Sequence, residues 1–264
     1  MRFGKYCFPL ALVLLASQGF SQNASPAASS MKKPLIYEIG QIVHINATGP
    51  RPLLQAVDAL QAKYGWIVDC EDPQYPREIS GSSAQPPIPL RRHANAETNV
   101  EEGFSVKFDG GPTPDSRPDE HMVLAFLVDA NNQGNAAGEF ELRQEREGSF
   151  ALVGVGIRDP QGESSGQHPI LDTTITLASE RRSVAETIAL ICHKLSRQRQ
   201  ISVTINGLAQ SLAGREPVAV GGTEVPARAL LSRVLAASGS NLYWRLLYDS
   251  ESQSYQLTIS RLSP

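Results

Sequence analysis

One local pattern occurs twice in this chain, and it limits the fold more than any other feature. "RPLLQAVDALQAKYGWIVDCEDP" at 51–73 returns as "VPARALLSRVLAASGSNLYWRLLYD" at 225–249. Each copy runs from a proline through a Leu-Leu pair and a valine to a glycine. Each then enters an apolar, strand-like run that ends in an acid. Leu53, Leu54, Val57 and Leu60 fall on one helical stripe, Pro52 suits a first turn, and Gly65 suits a C-terminal cap. In the run that follows, Trp66, Val68 and Cys70 point one way and Ile67 and Asp69 the other. A unit of roughly 40 residues buries too little apolar surface to stand alone. Such units must therefore pack together.

The rest of the chain extends the pattern. "LIYEIGQIVHINA" reads as a strand before the first helix, and "FSVKFDG" as the strand before a helix "PDEHMVLAFLVDANNQ". Two strands follow around Glu147-Gly148. The cycle restarts with strand "ILDTTITLA" and helix "SVAETIALICHKLSRQ", where Ser183 and Glu186 have capping-box spacing. Strand "QISVTIN", strand "PVAVGG", helix "VPARALLSRVLAASG" and strands "NLYWRLLYD" and "SYQLTISRL" complete it. The expected class is α+β, with two tandem halves of helix-on-sheet modules, each half β-α-β then β-α-β-β. The boundaries are 35–159 for the first domain, with a long proline-rich loop at 72–101, and 170–264 for the second. "PQGESSGQHP" at 160–169 reads as the linker.

A leading strand followed by "PLLQAVDALQAKYGWIVDCED" or "PARALLSRVLAASGSNLYWRLLYD" resembles the short N-terminal domain of secretins and TonB-dependent receptors. The resemblance rests on Leu53, Leu54, Val57 and Gly65, and on Leu230, Leu231, Val234 and Gly239. All eight are structural positions. What the resemblance implies is a two-layer α/β interaction module in the periplasm or outside the cell. Neither a TonB box nor a secretin pore domain follows the modules here.

The first residues agree with that compartment. Arg2 and Lys5 precede the apolar run "CFPLALVLLA", and small and polar residues follow. This is the plan of a secretory signal peptide spanning 1–21, with cleavage between Ser21 and Gln22, and it is too short for a stable membrane span. Residues 22–34 read as a disordered leader. Losing Arg2 and Lys5 takes the formal charge from −3 to −5. A mildly acidic chain with only short basic groups, at 90–93, 180–182 and 194–199, is a poor partner for nucleic acid.

Motifs with chemistry are few. Asp129, Asn131, Gln133 and Gly134 imitate the start of a calcium loop, but the position that needs a bidentate Glu is Phe140. His44, His93, His121, His168 and His193 form no metal-binding pair. "GESSG" at 162–166 is no nucleophile elbow, and "DGGPTPD" at 109–115 lacks the lysine of a phosphate loop. Cys70 and Cys192 are expected as free thiols, each in the core of a different half. No catalytic residue, metal or cofactor is assigned.

The expected function is a secreted or periplasmic, non-catalytic protein-interaction module of the cell envelope. The alternatives are a hydrolase-type enzyme with a loop-built site, and a structural envelope protein. Envelope proteins are the expected partners, bound by strand addition or by contact with the long loop. The expected acceptor is the last strand, through Tyr255, Leu257, Thr258 and Ile259, because no later segment of the sequence covers it.

Overall fold

A computed structural model describes residues 35–76, 103–110, 117–134, 137–146, 148–159, 161–206, 212, 216–239 and 241–262. The expected signal peptide and leader, and most of the 72–101 loop, lie outside the described residues.

The fold is α+β. Its first half comprises β1 (Ile36–Ile39), β2 (Ile42–Thr48), α1 (Pro52–Tyr64), β3 (Ile67–Glu71), β4 (Gly103–Asp109), α2 (Glu120–Gln133), β5 (Gly138–Arg146) and β6 (Ser149–Arg158). Next come β7 (Ser164–Gly166) and a 3-10 turn at Ile170–Asp172. The second half continues with β8 (Thr174–Leu177), β9 (Arg181–Arg182), α3 (Val184–Arg199), β10 (Ser202–Asn206), β11 (Val218–Ala219), β12 (Gly222–Pro226), α4 (Ala227–Ala237), β13 (Leu242–Asp249) and β14 (Ser254–Arg261).

The two halves share one pairing plan. Their leading strands pair antiparallel, β2 with β4 and β8 with β12. Their trailing strands form β3-β6-β5 and β10-β14-β13, with the first strand parallel to the middle one and the last antiparallel. Even the register corresponds. Ile67–Glu71 pairs with Ser149–Val153, and Ser202–Asn206 with Ser254–Thr258. In each case the short strand meets the first five residues of its partner.

The local signals behave as their chemistry dictates. Gly65 ends α1 in the left-handed region at φ 71, with its N–H on the Gln61 carbonyl. Ser183 and Glu186 close the capping box of α3. Differences arise where a run hides a turn. The 35–47 segment is a hairpin rather than one strand, because Gly40, at φ 62, reverses the chain between β1 and β2. "ILDTTITLA" opens with the 3-10 turn before β8, and "PVAVGG" supplies only the two residues of β11 before β12.

The expected division into two domains at 160–169 is corrected. β13 pairs in parallel with β3, matching Arg245 with Cys70 and Leu246 with Glu71. The two three-stranded units thereby fuse into one sheet, β10-β14-β13-β3-β6-β5. The supposed linker contains β7, which pairs with β6, and Gln167, which exchanges hydrogen bonds with the Gln74 backbone. The described residues make one compact unit.

Two cores flank this sheet. Val68, Cys70, Phe150 and Leu152 join α1, α2, β2 and β4 on one face. Ala151, Val153, Trp244, Leu246, Tyr255 and Leu257 join α3, α4 and β8 on the other. Strand β6 therefore alternates between two buried environments. The fusion also fixes how the halves are related. Both run from a β3-type strand to a β5-type strand across the sheet, but with opposite strand direction and helices on opposite faces. A half-turn about the axis crossing the strands, with a shift along it, converts one half into the other.

Candidate interaction site

The junction between the halves carries the most unusual chemistry in the molecule. It begins at "DCED", residues 69–72. Alternation sends Val68 and Cys70 into one core, so Asp69 and Glu71 point at the other face, where the second half supplies cover. Asp69, Glu71 and Asp72 are all buried. Each has an assigned partner. The Asp69 carboxylate accepts the Trp244 N–H at 2.8 Å. Glu71 pairs with Arg228 of α4 and accepts the Leu171 N–H at 3.1 Å. Asp72 accepts from Arg51 at 2.8 Å and from the Tyr248 N–H at 3.2 Å.

Burial raises all three pKa values, and the arginines and backbone N–H groups only partly offset it. Asp69 is pushed up to about 7, since its main relief is a backbone N–H, with Arg245 contributing at longer range. Asp172 behaves differently. Burial lifts it, but bonds from Arg143 and Arg228 outweigh that and hold it below the usual carboxylate range.

Arg245 carries the junction on the opposite face. It is buried and projects from β13 over the first half. Its guanidinium donates to the Val68 carbonyl, to Gln61 and, at 2.9 Å, to Asp58 of α1. It also lies 4.8 Å from the Tyr243 ring centroid. The backbone adds Asp72 N–H to the Leu246 carbonyl at 2.9 Å. The β13-on-β3 contact is thus a parallel strand addition locked by charge on both faces.

The expected acceptor strand is a correction. Tyr255, Leu257, Thr258 and Ile259 lie in β14, which pairs with β13 on one side and β10 on the other. Tyr255, Leu257 and Ile259 are buried in the second core. Position at the end of the sequence says nothing about position in the sheet. Among the described residues, the strands at the ends of the large sheet are β10 and β5. On β10, Ser202, Thr204 and Asn206 are exposed, and the Val203 N–H donates to Ser196 of α3 at 2.9 Å. On β5, Asn132 of α2 bonds both the N–H and the carbonyl of Phe140, at 3.0 and 2.7 Å.

A cleft of about 430 Å³ opens beyond the end of β3, lined among others by Asp72, Gln167, His168, Arg199 and Tyr255. Its acid is already engaged by Arg51, and the Tyr255 hydroxyl donates to the Asp72 carbonyl. What remains is a polar hollow with Arg199 and His168 on its wall.

The other residues singled out in the sequence are dispersed. His44 stacks on Tyr37, His121 tilts against Phe150, and His193 is exposed on α3; His93 lies outside the described residues. Asp129–Gln133 form the end of α2, where Asn131 donates to the Gly138 carbonyl. Cys70 and Cys192 are free and buried in different cores, and burial pushes each thiol up to about 12. Among the described residues no cluster of three or more His, Cys, Asp or Glu could hold a metal, and no helix is long and apolar enough to cross a membrane.

Comparison with known protein families, curated proteins and solved structures gave no match.

Proposed function

We propose that the mature chain is a non-catalytic protein-interaction module of a secreted or periplasmic compartment, and that it works by strand addition at β10. One observation carries this. The molecule already uses the equivalent edge. β10 stands in the second half where β3 stands in the first, and β3 accepts β13 in parallel register. The buried acids support the reading, since each is committed to an arginine or a backbone N–H instead of standing ready as an acid or base. The apolar run after Arg2 and Lys5 supports the compartment, and so does the resemblance of the modules to secretin and TonB-receptor domains.

Affinity capture tests it, with the mature protein as bait in the envelope fraction of the cell that makes it. The Val203 N–H turns toward α3, away from β14, so alternation also turns the Ile205 N–H outward. Ile205→Pro removes that donor. The expected result is a specific protein partner captured by the wild type and lost with the variant, circular dichroism being unchanged. Capture indifferent to Ile205→Pro overturns the edge assignment. Turnover of a substrate by the purified protein overturns the non-catalytic reading.

A further inference from the structure

We infer that the partner at β10 is a second copy of this chain, whose β5 adds in parallel and head to tail. This deepens the strand-addition reading and rests on it.

The argument starts from the internal junction. β13 and β5 are equivalent in the two halves, and so are β3 and β10. A half-turn with a shift along the sheet places the first half beside the second, and the contact it makes is β13 on β3. The same operation applied again does not close, because it moves along the sheet. It leaves a β5-type edge at one end and a β10-type edge at the other. Two such operations make a pure translation, so a second molecule placed end to end brings β10 against β5 in parallel. A heterologous contact that does not close builds an open assembly. The right-handed twist of sheets would rotate successive copies.

The residues can be carried across position by position. Leu246 faces Leu257 on β14, and Leu142 faces Leu152 on β6. Arg245 therefore corresponds to Glu141. Glu71 and Asn206 are the last paired residues of β3 and β10, so Cys70 corresponds to Ile205. The internal pairs Arg245 with Cys70 and Leu246 with Glu71 predict Glu141 with Ile205 and Leu142 with Asn206 across copies. The helices align as well. Gly65 and Gln200 both close the first helix of their half in the left-handed region, so Asp58 corresponds to His193 and Gln61 to Ser196.

Charge selects the occupant. Inside the molecule a basic residue on the incoming strand, Arg245, meets an acid on the receiving helix, Asp58. Between copies the acid stands on the strand and the cation on the helix. The incoming strand carries Glu141, paired within its own molecule with Arg143, and the receiving helix carries His193 as a hydrogen-bonding partner with Arg197 one turn further on. Glu141 shares the sheet face of Val153, the side on which α3 of a translated copy lies. Asn132 holds both the N–H and the carbonyl of Phe140. Addition in this register moves its amide off the carbonyl, which then accepts the Ile205 N–H. The counterpart Trp244 also gives its N–H to a side chain, Asp69.

The test is sedimentation of the purified mature chain over a concentration series. The expected result is a mass that rises with concentration. Glu141→Arg and His193→Glu should each raise the dissociation constant roughly fivefold, the scale of an exposed charge pair. Both changes in one chain should restore it. Leu142→Cys with Asn206→Cys in one chain should yield, on oxidation, a ladder of covalent multimers, since Cys70 and Cys192 are buried. A monomer at every concentration with no ladder overturns the inference, as does self-association indifferent to both charge reversals. If the chain stays monomeric while Ile205→Pro still abolishes capture of another protein, strand addition stands and the second copy falls.

Discussion

Asp69 is a carboxyl group placed where an apolar side chain would ordinarily sit. Its neighbours Val68 and Cys70 read correctly from the sequence as one buried face. The sequence placed Asp69 only on the opposite face from these, and local alternation says nothing of a second layer arriving from 175 residues later to bury it. That layer makes its titration a stability term. Its folded pKa, about 7, lies above the unfolded value near 3.8, so the folded state holds the proton more tightly. The stability it contributes is present at low pH and is lost as pH rises from about 4 to about 7, by on the order of 4 kcal/mol. Asp69→Asn keeps an oxygen to accept the Trp244 N–H and removes the titration. Urea unfolding of this variant should be flatter with pH between 5 and 7 than that of the wild type. A variant with the wild-type slope would show that Asp69 is ionised in the fold.

The first helix of each half ends in the same way, and this was half legible. Gly65 announced its cap, since glycine enters the left-handed region without penalty. Gln200 did not, although it holds φ 53 and ψ 33 at the equivalent position. A residue with a Cβ in that region carries strain of roughly 1–2 kcal/mol. Nothing crowds a Cβ at Gly65, so substitution there meets only the conformational penalty. Gly65→Ala should lower stability by about 1 kcal/mol, and Gln200→Gly should raise it by roughly 0.5–1 kcal/mol. Urea midpoints at constant slope would show both. Equal and opposite signs would confirm that the two turns do one job, and a loss at Gln200→Gly would show that its side chain does more than tolerate the turn. The edge position of β10 had no such local sign. The pattern of "SYQLTISRL" is the same for an edge strand and for a central one, and only the pairing of β14 on both sides decides it.

At the scale of the whole molecule, the duplication was legible and its fusion was not. Each half keeps its own helices and most of its own core. Yet Ala151 and Val153 of the first half are buried in the second core, and Arg245 of the second half is buried against Asp58 and Gln61 of the first. Separation would expose the fully buried Val153 and leave Glu71 without Arg228. Burial of an aliphatic side chain is worth about 1.5–3 kcal/mol, and breaking a buried ion pair costs about 3–5 kcal/mol. Together these approach the net stability of about 5–15 kcal/mol typical of a domain. Neither half should therefore hold a fixed tertiary structure alone. Expressed as 34–159 and 163–264, each fragment carries one buried tryptophan, Trp66 or Trp244, as its own reporter. Each should lack near-ultraviolet circular dichroism when alone and regain it when the two are mixed in equal amounts. Charge reversal at the seam, Arg245→Glu, should weaken that recovery, because it sets an acid against Asp58. Two fragments that each fold independently, with separate unfolding transitions in the intact chain, would return the molecule to two domains.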